Sequence, residues 1–247
     1  MITFSSTVEI ILFVIEVIGC ISFATSGAVT ALRKKADLLG VWILTLLSVF
    51  GGGLLRDLIL HNGVPHIFWD PEYLWLALIS IVISTVCFVL ACIPKTAKGL
   101  EHHRHDFWIY AVDAVGVSVF CVAGAKLAYN ALPSTIGIFE TYIFVTSLGV
   151  ITGVCGGMFR DVCLGEIPTV FKKRFYMMPC LIGTAVYTVF FLNNWGDSSG
   201  IVAILIGCGT IITLRILAVI FKWNMPVAKA FNTVVDEETK EQKEKKN

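Results

Sequence analysis

Seven apolar stretches, each about as long as the roughly 20 residues a helix needs to cross a bilayer, constrain this chain more than any other feature. They cover residues 8–32, 38–60, 74–93, 107–129, 138–164, 175–192 and 200–221. An apolar fraction of 56% with only 15% charged residues, and a mean hydropathy of +0.81, leave no soluble fold that could bury them all. In hydrocarbon every backbone amide and carbonyl must be bonded within its own segment, so the expected fold is all-α and polytopic.

Loop charge sets the expected orientation. Basic residues fall in alternate connections: Arg33, Lys34 and Lys35; then Lys95, Lys98 and Arg104; then Lys172, Lys173 and Arg174; then Lys240, Lys243, Lys245 and Lys246 in the tail. The intervening loops 61–73, 130–137 and 193–199 contain neither Lys nor Arg. The positive-inside rule then puts the N-terminus outside and the C-terminus in the cytoplasm, which requires an odd number of spans.

Within the second and fifth stretches a heptapeptide recurs. It is Gly51-Gly52-Gly53-Leu54-Leu55-Arg56-Asp57 in the first half and Cys155-Gly156-Gly157-Met158-Phe159-Arg160-Asp161 in the second. A second set matches in register: Glu16, Gly19, Phe23, Gly27 and Ala28 against Asp113, Gly116, Phe120, Gly124 and Ala125. Helices 1–3 therefore correspond to helices 4–6, with one helix left over. Because each unit holds three helices, the copies have opposite orientation, an arrangement that places a solute site between repeats near the midplane. The expected division is 1–106 for the first unit, 107–193 for the second, 194–225 for the seventh helix and 226–247 for a charged cytoplasmic tail.

Charges at membrane depth are costly and point to function. Depth along the helices pairs Glu16 with Arg56, and Asp113 with Arg160. The glycines are expected to bend or unwind helices 2 and 5, freeing backbone groups that are tolerated only where they face protein or water. The competing reading is that Gly51, Gly52, Gly53, Gly156 and Gly157 simply allow close helix packing. Asp57 and Asp161 are left three roles: capping freed amides, lining the path, or facing a vestibule. Arg215 and Lys126 are read as side chains that reach the headgroups. Trp69, Trp75, Trp108, Trp195 and Trp223, near helix ends, form interfacial belts.

Little else carries chemistry. His102, His103 and His105 sit in a charged loop and read as solvated, not as a metal cluster. The eight cysteines all fall in apolar stretches without a Cys-x-x-Cys pair, and read as small core residues. Nucleophile elbows, phosphate loops and zinc-ligand spacings are absent from the sequence, so neither an enzyme, a cofactor, a metal nor a nucleic-acid partner is expected.

The doubled Gly-Gly-x-x-Arg-Asp motif, in two three-helix units followed by a seventh helix, resembles the prokaryotic branch of the TRIC family, the trimeric intracellular cation channels. Some of its members are described as carrying glycine transporter domains. The resemblance implies a homotrimer with a pore for monovalent cations, potassium among them, in each subunit. It implies that Gly51, Gly52, Gly53, Arg56 and Asp57, with Gly156, Gly157, Arg160 and Asp161, line that pore on broken helices 2 and 5. Cys155 replaces a glycine, which implies a gentler break in helix 5. Leu54-Leu55 and Met158-Phe159 stand where animal members carry Lys-Glu, so phosphoinositide control is not implied. A bacterial member would lie in the plasma membrane. The alternative function is secondary transport of glycine or another small zwitterion, held through its carboxylate by Arg56 or Arg160.

Overall fold

The structure, a computed structural model, describes residues 7–60, 63–93, 106–133, 135–171, 175–195 and 200–223. The histidine loop, the basic clusters at 95–104 and 172–174 and the tail lie outside the described residues. Seven α-helices follow in order: α1 (Thr7–Arg33), α2 (Leu38–Ile59), α3 (Pro71–Ala91), α4 (Asp106–Ala131), α5 (Ile138–Cys163), α6 (Met177–Leu192) and α7 (Ile201–Ile220). Short 3-10 turns at His66–Phe68 and Thr169–Phe171 precede α3 and α6. Among the described residues there is no strand.

Local chemistry starts two of these helices. The Asp37 carboxylate accepts from the Gly40 amide at 2.7 Å and caps α2. At α3, Asp70 accepts from the Glu72 amide at 3.0 Å, and Pro71 fills a first-turn position where a missing N–H costs nothing.

Six of the helices are long and apolar enough to span a membrane. The sixth stretch falls short of expectation. Its helix has 16 residues, about 24 Å at 1.5 Å per residue, against a hydrocarbon core of about 30 Å. The chain enters it through Tyr176, which is turned inward onto a buried carboxylate.

The interior is built from small residues. On α1, Cys20, Ala24, Ala28 and Ala31 are fully buried, one per turn, while Val14, Ile18 and Ile21 on the opposite side are exposed. α3 turns Leu76, Ser80 and Ser84 inward and leaves Leu78, Val82, Val86 and Val89 out. Exposed aliphatic rows would aggregate in water. In a bilayer they meet lipid tails, and small inward faces let helices approach closely. The tryptophans at helix ends, Trp69, Trp75, Trp108, Trp195 and Trp223, are exposed as expected of belts. Of the cysteines, Cys20, Cys121 and Cys180 are buried, but Cys92 and Cys163 are exposed at helix ends and are not core residues.

The fold is an inverted 3+3 repeat plus a seventh helix. α1 packs on α2 and α3, and α4 packs on α5. The two units are joined by α1 against α4 and α2 against α5, while α7 lies on α6 and α4. Phe23 and its repeat counterpart Phe120 stack face to face with centroids 5.2 Å apart and planes inclined by 8°. A residue meeting its own counterpart in this way marks the pseudo-two-fold axis.

Candidate functional site

The centre of the molecule is the crossing of α2 and α5. A Cβ added to Gly52 would overlap the backbone carbonyl oxygen of Thr152, and one added to Gly156 would overlap that of Ser48. These contacts are repeat mates, since Gly52 corresponds to Gly156 and Ser48 to Thr152. Neighbouring contacts obey the same symmetry: Gly27 of α1 fits against Ser48, and Gly124 of α4 against Thr152. The hydroxyls of Ser48 and Thr152 are bonded within their own helices, to the carbonyls of Leu44 and Leu148 at 2.8 and 2.7 Å. They need no partner across the crossing.

Both helices run unbroken through the glycines, which corrects the expected unwinding, and with it the gentler break expected at Cys155. Glycine is needed here for backbone-to-backbone approach and not to free hydrogen-bonding groups. The third position of each motif, Gly53 and Gly157, differs. The nearest atom to a Cβ on Gly53 would be Arg56 Nη2 at 3.8 Å, and on Gly157 Arg160 Nη2 at 3.9 Å. These positions leave room beside the guanidinium.

One turn beyond, each arginine folds back onto the next residue. Arg56 donates from Nε and Nη2 to Asp57 Oδ1 at 2.8 and 2.6 Å, and Arg160 does the same to Asp161 Oδ1 at 2.9 and 2.7 Å. The second carboxylate oxygen holds the following loop. Asp57 Oδ2 accepts from the His66 amide at 3.0 Å and lies 3.1 Å from His66 Nδ1. Asp161 Oδ2 accepts from the Thr169 amide at 2.9 Å and from its hydroxyl. All four charged side chains are buried.

The expected pairs Glu16–Arg56 and Asp113–Arg160 are therefore not the ones formed. Adjacent residues on a helix diverge at Cβ, but an arginine is long enough to curl back, and the short last turn beyond it leaves the aspartate free to take both the fork and the loop. Asp113 is bonded elsewhere. Its carboxylate accepts from Arg215 Nη2 at 2.7 Å, the Tyr176 hydroxyl at 2.9 Å and Ser26 Oγ at 3.2 Å. The Arg215 guanidinium also lies 3.9 Å from the centroid of the Tyr176 ring, a cation–π contact. Arg215 is thus buried and paired instead of reaching the headgroups. Its carbonyl-end position on α7 gave no sign of this, because α7 has no repeat partner to align with.

Two polar cavities approach the crossing from opposite ends. One, about 300 Å³, is lined by Glu16, His66, Asp70, Glu72, Tyr73 and Lys126 among others. A further space of about 220 Å³, which shares His66, Leu127 and Asn130 with it, is lined by Arg56 and Asp57. Lys126, expected at the headgroups, faces this cavity. The other, also about 220 Å³, is lined by Ser26, Thr30, Arg33, Asp113, Arg160 and Asp161 among others. α1 runs from the first cavity to the second and α4 runs back, so Glu16 and Asp113 stand at opposite mouths. Tyr73 and Tyr176, which sequence reasoning passed over, occupy matching places after the two 3-10 turns. None of the motif glycines is among the described lining residues of either cavity.

Comparison with known proteins agrees with this architecture. Residues 13–91 and 110–192 match the family model for Glycine transporter, one match within each three-helix unit. A UPF0126 membrane protein of Vibrio cholerae is 32% identical over 219 residues, covering 87% of this chain and 82% of its own length. A solved chain described in terms of conductance through TRIC cation channels superposes with a TM-score of 0.71 at 29% identity, covering 87% of this chain and 95% of that one. The TRIC trimeric intracellular cation channel orthologue from Rhodobacter sphaeroides superposes with a TM-score of 0.70 at 25% identity, covering 86% and 98%. These relatives are membrane proteins and channels, not enzymes. With the doubled motif, the inverted repeat and these matches in agreement, the chain is a multi-pass membrane protein that belongs to the prokaryotic TRIC family.

Proposed function

We propose that this protein is a monovalent cation channel, permeable to potassium, with a path inside each subunit of a homotrimer in the bacterial cell membrane. The observation that carries the reading is the pair of polar cavities entering from opposite ends, each stopping at an arginine whose charge is cancelled by its own aspartate. A paired guanidinium presents a dipole and not a bare positive charge, so it does not bar cations. The solved relatives described as TRIC cation channels support the same reading.

In this proposal Arg56, Asp57, Arg160 and Asp161 line the path. Glu16 and Asp113 mark its mouths, and Gly51, Gly52, Gly53, Gly156 and Gly157 form its narrowest part, where α2 and α5 must part for ions to pass. Flow is passive electrodiffusion. The N-terminus lies outside and the C-terminus in the cytoplasm, following the basic loops. Residues 1–106 form the first unit, 107–193 the second, 194–225 the seventh helix and 226–247 the tail.

The name of the matching family model favours transport of glycine. That mechanism needs an arginine to hold the substrate carboxylate, and Arg56 and Arg160 are both occupied by their own aspartates. Purified protein in planar bilayers under a KCl gradient, run beside radiolabelled glycine uptake into proteoliposomes, separates the two. A current reversing near the potassium potential, without glycine accumulation, is the expected result. Glycine accumulation without current overturns the channel reading.

A further inference from the structure

The repeat is symmetric at the crossing but not at its mouths. Glu16 and Asp113 are counterparts, yet among the described residues only Asp113 carries a guanidinium. It comes from Arg215 on α7, the helix that has no repeat mate. Tyr176 and Ser26 complete the shell around that carboxylate. Glu16 instead borders the larger cavity, where Asp70 and Glu72 add two more carboxylates against the single ammonium of Lys126. In the Asp113 cavity, Arg33, Lys34 and Arg160 face Asp113, Asp161 and Glu166, and the bonded Arg215 tips the balance positive. Loop composition continues the contrast: residues 61–73 contain no Lys or Arg, whereas Arg33, Lys34 and Lys35 crowd the opposite end.

Resting on the channel reading, we infer that the protein rectifies. The Glu16 mouth gathers cations and the Asp113 mouth does not, so cation current runs more readily from the Glu16 side to the Asp113 side than in reverse. No ion need be held in place, because the carboxylates act through their field. One net unit charge about 10 Å from a cation in water changes its local concentration about twofold. A surplus of one to two negative charges at one mouth therefore favours that direction by about two- to fourfold. The unrepeated helix α7 acts as the device that breaks the symmetry, by cancelling one of two otherwise equivalent acids.

The test is current–voltage recording of wild-type protein and Glu16→Gln in planar bilayers with symmetric KCl. A C-terminal tag, reached by antibody from one chamber only, fixes the orientation. At about 10 mM salt the Debye length is about 30 Å and the mouths are unscreened, whereas at about 1 M it is about 3 Å. The expected result is a two- to fourfold current ratio at low salt that vanishes at high salt, with Glu16→Gln lowering the low-salt ratio by about half. Should Glu16→Gln fail to fold, the salt series on wild-type protein decides alone. Current that is symmetric at low salt, rectification in the opposite direction, or rectification indifferent to salt overturns the inference and leaves the channel reading standing. The absence of any current overturns both.

Discussion

Gly52 of α2 lies beneath the main-chain carbonyl of Thr152 in α5 with no space for even a methyl group between them. Its neighbour Gly53 faces only the Arg56 side chain of its own helix, with Nη2 3.8 Å from an added Cβ. Two adjacent glycines of one motif should then respond oppositely to alanine. Gly52→Ala forces two backbones apart and should destabilise by roughly 1–3 kcal/mol. Gly53→Ala should stabilise α2 by roughly 0.5–1 kcal/mol through reduced backbone entropy. Gly156→Ala and Gly157→Ala should repeat the pattern in α5. Thermal denaturation in detergent, followed by size-exclusion chromatography, measures the contrast, and equal effects at the two positions would contradict it.

The Arg160–Asp161 fork is buried, so its members should depend on each other. Asp161→Asn strands a guanidinium in a low-dielectric site and should cost roughly 3–5 kcal/mol. Adding Arg160→Met should recover much of that loss, since an apolar replacement of a buried pair is often neutral. Asp57→Asn and Arg56→Met should behave likewise. A double variant no more stable than its Asp→Asn parent would show that the pair does not carry the stability assigned to it.

Arg215 meets Asp113 through one nitrogen and the Tyr176 ring through its plane. Lysine offers the charge without the planar face or the fork, so Arg215→Lys should not restore wild-type stability. In a double-mutant cycle, Arg215→Gln and Asp113→Asn should show coupling of roughly 0.5–3 kcal/mol. Strict additivity would place the partner of Asp113 elsewhere.

Orientation can be read with cysteines placed at exposed loop positions. Val64 follows α2 and Ile167 follows α5, and both are exposed. In intact cells of a background lacking Cys92 and Cys163, a membrane-impermeant maleimide should label Val64→Cys and spare Ile167→Cys until the cells are broken. Labelling of both from outside would refute the proposed topology.

What the sequence determined by itself was the fold. Hydrocarbon forces each apolar stretch to satisfy its own backbone, so helix number and extent follow from residue type, and residues 38–60 and 138–164 became α2 and α5 with ends shifted by one residue at most. Inversion followed from matched residues such as Glu16 with Asp113 and from an odd number of helices per unit. The sequence singled out Glu16, Arg56, Asp113 and Arg160 as charges at membrane depth, but it paired them differently from the structure and left Arg215 at the headgroups. Depth along a helix restricts which groups can meet, but rotation about the helix axis and the reach of an arginine decide which do. Arg56 therefore turned to Asp57, Asp113 to Arg215, and the glycines to the facing carbonyls of Thr152 and Ser48. The last two choices belong to the packing of α7 on α4 and the crossing of α2 with α5, contacts between helices far apart in the chain that no local pattern encodes.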